Sequence, residues 1–227
     1  MANYIGPYDY EDAPLPPNSR WAARRQLAEA MRRLNELSVI STADADALNA
    51  ICETINVQVD KLAQYPFEKG KLAQMDADKD TLTERRIVSH EISPLTGFSN
   101  PVSPPMNTWF DGDEVKARVT MGWQYEGPPG CVHGGFIAAL FDDFLGVGQK
   151  LTGQPGFTGT LKVRYIKPTP LDQELTLIGR VKSIEGRVNV LCGEMYAGDT
   201  LTASSEGLFV HMPPDYLAKL KAQKNTQ

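Results

Sequence analysis

The chain has 227 residues, of which 41% are hydrophobic and 22% charged, enough for one large globular domain or an ordinary domain with an extension. Its formal net charge of −5 and its isoelectric point near 5.3 argue against a dedicated nucleic-acid-binding protein. Three cysteines without a C-x-x-C pair and three scattered histidines exclude a disulfide scaffold and offer no convincing metal site.

Residues 1–89 are predicted to form a helical extension and a connector. The polar, acidic segment 1–18 has no apolar signal-peptide core, and no apolar run is long enough to span a bilayer, so we expect a cytoplasmic protein. Apolar residues recur at helical spacing in residues 20–39 and 41–64, which predicts a helical hairpin. The stretch RRQLAEAMRRL could also lie on a membrane surface, but nearby acidic residues dilute its positive face.

The hydrophobic period changes from helical to two after a connector over residues 65–107. Four prolines between residues 94 and 105 disfavour a helix there. DEVKARVTMGWQ then alternates as a strand does, and a mostly apolar helix follows it. Strand-like alternation continues in four segments: GTLKVRYIKP, QELTLIGRVKSIEG, RVNVLCGEMYAG and DTLTASSEGLFVHM. One strand, one helix and four antiparallel strands predict an α+β fold in which a sheet wraps around the helix.

The apolar helix contains two adjacent aspartates, within GPPGCVHGGFIAALFDDFLG, residues 127–146. Helical spacing aligns Asp142 with glycines and alanines. The opposite side carries the predicted core residues Phe136, Ile137, Leu140, Phe141 and Phe144. Because a buried, unpaired charge is unfavourable, Asp142 must be paired, hydrogen-bonded or next to a solvated cleft, and both a structural and a functional role stay open. Asp143 lies about 100° further round and is predicted to face solvent or a partner more than Asp142 does.

The residues before the helix offer a further site. Gly134 and Gly135 allow a ligand to approach backbone N–H groups at a helix start, which suits a developing oxyanion, although a simple tight turn is the alternative. His133 fits a hydrogen-bonded residue that shapes this turn better than a direct catalyst. A nucleophilic pair of Cys131 and His133 is less favoured, because this segment has no positive charge to stabilise a thiolate.

These motifs resemble a known family. GPPGCVHGGFIAALFDDFLG followed by GFTGTLKVRYIKPTPL is similar to the hotdog-fold acyl-CoA thioesterases of the phenylacetic-acid-pathway (PaaI-like) type. Their pattern is His-Gly-Gly, an aspartate nine residues after the histidine, and a strand ending in Tyr-x-x-Pro. The match covers residues 90–212, which the resemblance makes a hotdog domain: an antiparallel sheet wrapped around a central helix. Residues 213–227 are then a C-terminal tail.

The resemblance implies hydrolysis of an acyl-CoA thioester without any cofactor, since the CoA moiety belongs to the substrate. It selects Asp142, nine residues after His133, as general base or nucleophile, with that choice left open. Gly134, alone or with Gly135, would polarise the thioester carbonyl. Thr158, where relatives carry Ser or Thr, would orient Asp142 or a water molecule.

The resemblance also implies how CoA binds and how subunits assemble. Arg164, Gly186 and Arg187 are candidates to hold the CoA phosphates, although ordinary surface charge explains them equally well. The family places its sites at subunit interfaces, so we expect a homodimer or a dimer of dimers, with Asp142 and Thr158 from different subunits. One residue departs from the pattern, because some relatives have Asn where this chain has Gly127.

Two other functions remain open on the sequence. The chain could be a non-catalytic acyl-CoA-binding or regulatory protein, or, less favoured, a dehydratase of hydroxyacyl thioesters, which needs a catalytic histidine. The sequence contains no Gly-x-Ser-x-Gly, no P-loop and no Gly-x-Gly-x-x-Gly motif, so serine hydrolases, P-loop NTPases and dinucleotide-binding enzymes have no support from these patterns.

Overall fold

A computed structural model describes residues 14–77 and 90–212. These residues divide into two compact units, one of residues 14–77 with 90–103 and one of residues 104–212. The division between the compact units falls between Ser103 and Pro104. The predicted C-terminal tail lies outside the described residues.

Within its described residues the first unit has helices α1 (Ser19–Ile40), α2 (Ala45–Ala63) and α3 (Lys71–Ala77). The first two confirm the helices predicted from the periodicity, whereas α3 falls in the predicted connector. Side-chain caps fix where they begin. The Asn18 side chain accepts a hydrogen bond from the Trp21 N–H, and Asp44 accepts one from the Ala47 N–H.

Side chains of α1 explain why residues 90–103 fold with the helices. Arg32 is almost fully buried and donates to the carbonyl oxygens of Phe98 and Asn100, at 3.2 and 3.1 Å. Arg25 forms a two-point ion pair with Glu91. Helix α2, in contrast, buries none of its residues fully, and Leu48, Ile51 and Leu62 on it stay exposed. Periodicity identified an apolar face, but it does not say what covers that face.

The second unit is an antiparallel six-stranded sheet wrapped around one helix, as predicted. The strands are β1 (Asn107–Asp111), β2 (Glu114–Thr120), β3 (Gly156–Tyr165), β4 (Glu174–Glu185), β5 (Val188–Ala197) and β6 (Thr200–His211), and the helix is α4 (Gly134–Gly148). Their order across the sheet is β1-β2-β4-β5-β6-β3, so β1 and β3 are the edges. Strand β1 was not predicted from the sequence; it pairs with β2 through a turn at Gly112, where φ is +62°.

Helix α4 packs on what we call the inner face of the sheet; the opposite face is the outer face. Phe141, Phe144 and Leu145 are fully buried. The helix comes close to the sheet at Gly179 of β4, where an added Cβ would lie 2.9 Å from the Phe144 ring. Phe136, predicted to be in the core, is only half-buried and packs edge-on against Tyr125, with ring centroids 4.8 Å apart.

Among the helices in the two described ranges, none is long and apolar enough to cross a membrane.

Candidate active site

A tight loop brings His133 to the start of α4. The Gly127 N–H donates to the Cys131 carbonyl at 2.9 Å, and Gly130 makes the turn with φ of +71°. An added Cβ on Gly127 would lie 2.6 Å from the His133 Cα, so this loop has no room for a side chain. The Asn of some relatives therefore cannot be accommodated at residue 127 in this conformation.

The first amides of α4 differ in their hydrogen bonds. His133 is the N-cap, and its Nδ1 atom accepts from the Gly135 N–H at 3.0 Å. The Phe136 N–H donates to the His133 carbonyl at 2.9 Å. Within the described residues the Gly134 N–H has no acceptor, as expected for the first residue of a helix. Of the two predicted oxyanion donors, only Gly134 thus has an unused N–H group.

His133 occupies the position that favours a structural role. Its Nδ1 is directed at a backbone amide, while the Cys131 thiol donates to the Pro129 carbonyl at 3.5 Å. Neither side chain is directed at the other, so the structure gives no support to a Cys–His nucleophile.

Asp142 is solvent-exposed on α4 and accepts a hydrogen bond from the Thr158 hydroxyl, with Oγ1 and Oδ1 2.8 Å apart. The hydrogen bond is made within one chain, whereas the family resemblance implied that different subunits supply the two residues. One expectation is corrected here. Asp143 is half-buried, so Asp142 is the more exposed of the two aspartates.

A β-bulge turns Thr158 towards α4. In a regular strand Thr158 would share a face with Lys162 and Arg164, because alternate residues point the same way. The pairing of β3 with β6 shifts between Thr158 and Thr160, so Gly159 is an extra residue on β3. This insertion places Thr158 on the inner face beside Asp142.

Gly134 and Asp142 lie far apart along the same helix. They are eight residues apart, which corresponds to about 12 Å along the axis at 1.5 Å per residue. A thioester carbonyl with its hydrogen-bond donor and an attacking oxygen spans only about 6 Å, since each contact is about 3 Å. The Gly134 N–H and the Asp142 carboxylate of one chain are therefore too far apart to act on the same carbonyl group.

The three predicted CoA-binding residues do not come together within the chain. Arg164 lies on the outer face, in a groove of about 570 Å³ that it shares with Lys162, Arg180 and Lys182. Arg187 lies in the β4–β5 turn, where its guanidinium donates twice to the His211 carbonyl at 3.1 and 3.0 Å.

The turn that holds Arg187 also contains Gly186, whose φ is +59°. The pairing with β6 shows how far Arg164 lies from this turn. Arg164 pairs with Ser204, whereas Arg187 bonds to His211, seven residues further along β6 and roughly 23 Å away at 3.3 Å per residue. Gly186 and Arg187 lie at the end of the sheet that carries Thr158.

Residues 14–77 and 90–212 contain no group of three or more His, Cys, Asp or Glu side chains that could hold a metal ion.

Tyr165, at the end of β3, is a contact residue that the sequence analysis did not assign to the site. Its hydroxyl donates to the Gly134 carbonyl at 2.9 Å. An added Cβ on Gly134 would lie 3.4 Å from the ring, so the tyrosine packs directly on the helix start. The sequence did indicate the side on which Tyr165 lies, because Leu161, Val163 and Tyr165 alternate along one face of β3.

Comparison with known proteins agrees with this fold. A family model described as the thioesterase superfamily matches residues 129–204. A crystal structure described as a thioesterase superfamily protein is 33% identical, with a TM-score of 0.69, and the match covers 86% of this chain and 97% of that one.

Curated relatives are similar over a shorter stretch. Acyl-coenzyme A thioesterase THEM4 of Bos taurus is 32% identical over 111 residues, which are 47% of this chain and 46% of the relative. Acyl-coenzyme A thioesterase THEM5 of Homo sapiens is 30% identical over 93 residues, 40% of this chain and 38% of the relative. The chain thus spans less than half the length of these curated relatives, and the narrower phenylacetic-acid-pathway type stays a prediction. By its identity to the solved structure over nearly that protein's whole length, the chain belongs to the thioesterase superfamily.

Proposed function

We propose that this protein hydrolyses an acyl-CoA thioester to the free acid and CoA, in a homodimer whose active site combines Asp142 of one subunit with the Gly134 amide of the other. The relatives named acyl-coenzyme A thioesterases support the reaction. The observation that carries the proposed site is the exposed Asp142–Thr158 pair, about 12 Å along α4 from the unused Gly134 N–H.

The separation favours two subunits over one. A two-fold axis relates two copies of each residue, so the Asp142 of one copy can approach the Gly134 of the other in two equivalent sites. Strand β3 forms an edge of the sheet, and most of its residues are exposed. An open edge of this kind is a natural place for a second copy to pair.

The chemistry assigns one task to each group. The Gly134 N–H donates to the carbonyl oxygen as negative charge develops there, an interaction worth about 3 kcal/mol of barrier. Asp142 either removes a proton from the attacking water, or attacks the carbonyl carbon itself to give an anhydride that water then hydrolyses to the free acid and the aspartate. In either case the carbon–sulfur bond breaks, and the CoA thiolate takes up a proton. Thr158 holds the carboxylate in position through its hydroxyl.

For the CoA phosphates we retain Gly186 and Arg187, which lie at the same end of the sheet as Thr158. Arg164 lies on the outer face and is the weaker candidate. If Arg187 binds a phosphate, Arg187→Met weakens CoA binding at low salt, and this difference shrinks as salt screens the charge. An unchanged affinity in Arg187→Met would remove this residue from the site.

Two substitutions at Gly134 test the oxyanion donor. Proline is tolerated at the first position of a helix, and the preceding His133 has an extended backbone with φ of −60° and ψ of 131°. Gly134→Pro therefore deletes the N–H with little change of backbone, whereas Gly134→Ala adds the same Cβ and keeps the N–H. We expect kcat to fall about a hundredfold in Gly134→Pro and to stay near the wild-type value in Gly134→Ala.

A heterodimer tests the shared site. Gly134→Pro and Asp142→Asn chains carrying different affinity tags are co-expressed, and the mixed dimer is purified through both tags. If each site takes one group from each subunit, one of the two sites is fully wild-type, so the mixed dimer recovers about half of the wild-type kcat. A purified mixed dimer as inactive as its two parents would show that each site lies within one chain.

Tight acyl-CoA binding by the wild-type protein without turnover would instead select the non-catalytic alternative.

A further inference from the structure

We propose that Tyr165 is a positioning residue, which holds the first turn of α4 so that the Gly134 N–H stays directed at the thioester oxygen. This inference rests on the proposed function, because it names the residue that fixes the oxyanion donor. Tyr165 itself touches no reacting atom in this scheme.

The peptide group between Gly134 and Gly135 is held at both ends. Its carbonyl oxygen accepts from the Tyr165 hydroxyl at 2.9 Å, and its N–H donates to the His133 Nδ1 at 3.0 Å. A peptide group with both polar atoms bonded to side chains cannot rotate without breaking a hydrogen bond. The orientation of the adjacent Gly134 N–H is thereby restricted as well.

A turn that begins with two glycines needs this restriction. Glycine has no side chain to limit its backbone, and it weakens a helix relative to alanine. The ring of Tyr165 also packs on Gly134, since a Cβ added to this glycine would lie 3.4 Å from the ring. Tyr165, at the end of β3, thus provides a packing contact at a helix start where glycine has no side chain to provide one.

The residues after Tyr165 connect this contact to the rigid sheet. The N–H groups of Ile166 and Lys167 both donate to the Thr202 carbonyl of β6, at 2.8 and 3.0 Å. Val132, just before the helix, donates to the Thr169 carbonyl of the same segment at 2.9 Å. The helix start and the end of β3 are therefore joined on both sides, which suits a donor that must not move during reaction.

The substitution Tyr165→Phe removes the hydroxyl and keeps the ring. We expect kcat for acyl-CoA hydrolysis to fall about three- to tenfold with little change in KM, because a less well-directed Gly134 N–H weakens an interaction that is strongest in the transition state. Tyr196→Phe is the matched control, since that hydroxyl donates to Glu194 at 3.0 Å on the outer face. It should leave both constants unchanged.

A double-substitution cycle separates positioning from a general structural effect. In Gly134→Pro the donor is absent, so adding Tyr165→Phe should reduce kcat no further. An equal loss of kcat in the presence and absence of the Gly134 N–H would overturn the proposal, and so would a wild-type kcat in Tyr165→Phe alone.

Amide hydrogen exchange gives a readout that needs no turnover. Tyr165→Phe should speed exchange in a peptide covering residues 133–138, whereas Tyr196→Phe should not. Unchanged exchange in that peptide overturns the role of Tyr165, even if the protein is an active thioesterase. Conversely, a wild-type protein that releases no CoA from any acyl-CoA overturns the proposed function, while faster exchange still supports the positioning contact.

Discussion

The two faces of the sheet use charge in opposite ways. The outer face carries a network of ion pairs: Arg180 with Glu114 and Glu194, Lys182 with Glu206, and Lys116 with Glu114 and Asp111. The inner face is covered by α4 and its apolar core, and it presents one exposed carboxylate paired with a hydroxyl. The face with the most charges is not the face with the candidate active site.

The ion pairs alter proton binding without creating a reactive group. A hydrogen bond from Lys182 lowers the pKa of the Glu206 carboxyl, and the same contact raises the pKa of Lys182. Each shift favours the charged form that solvent also favours, and exposed pairs of this kind contribute little to stability. Asp142, by contrast, has a neutral partner and small neighbours, which leave space for a substrate.

The largest expected effect tests the inner face directly. Asp142→Asn keeps the shape of the side chain and removes its charge, so kcat for acyl-CoA hydrolysis should fall by at least about a hundredfold. Asp143→Asn, next to it on the helix, is the matched control and should stay within a fewfold of wild type. Release of CoA at the wild-type rate by Asp142→Asn, measured across short, medium, long and aryl acyl-CoAs, would show that this carboxylate is not catalytic.

A smaller effect on kcat is expected from removing the Thr158 hydroxyl. This variant tests whether the neutral partner of Asp142 matters, in contrast to the Lys and Arg partners of the outer-face carboxylates. Thr158→Val removes the donor to Asp142 at nearly constant volume, and we expect kcat to fall about tenfold. Thr158→Ser keeps a hydroxyl and should retain most of the rate. Equal rates in the valine and serine variants would mean that the hydrogen bond has no part in turnover.

The smallest effect on activity is expected on the outer face. Glu206→Gln should leave kcat and KM unchanged, because the site is on the other side of the sheet. Its effect should appear in thermal unfolding instead. Because the folded-state pKa of Glu206 is lowered, the ion pair stabilises the protein above pH 4.5, the ordinary value for glutamate, and this contribution is lost as the pH falls through the folded-state pKa.

The difference in Tm between wild type and Glu206→Gln should therefore be present at pH 7 and disappear in acid. The raised pKa of Lys182 gives the opposite sign at high pH, where the contribution is lost as the pH rises above 10.5, through the folded-state pKa of the lysine. A Tm difference that stays constant from neutral to acidic pH would show that Glu206 acts through something other than this ion pair.

Periodicity was sufficient for the elements whose neighbours are close in sequence. The alternation in residues 174–211 gave three strands joined by short turns, and α4 was placed within one residue of its observed start. Strand β1 was missed because prolines before it suggested a connector, although the Asp-Gly at its end is a typical hairpin turn. The relation of Asp142 to Thr158 came from the family resemblance, which implied two subunits, whereas the hydrogen bond seen joins the two residues within one chain.

Other features depended on packing that no sequence period reports. The exposure of Asp142 relative to Asp143 is set by where α4 lies on the sheet, which the helix angle alone does not give. The Gly135 N–H is bonded because the His133 side chain caps the helix, whereas the Gly134 N–H is unused because it belongs to the first residue of the helix. The alternation along β3 places Tyr165 on the inner face, but its contact with Gly134, 31 positions away, depends on the tertiary fold.

The bulge at Gly159 has a consequence for how such proteins diverge. Because Gly159 is the one extra residue of β3, deleting it would restore strict alternation and leave Thr158 directly before Thr160, still on the inner face with Leu161. A related chain could therefore keep the hydroxyl beside the carboxylate with one residue fewer in this strand. An alignment that leaves no gap at residue 159 would then match Thr158 to a neighbour that points to the other face.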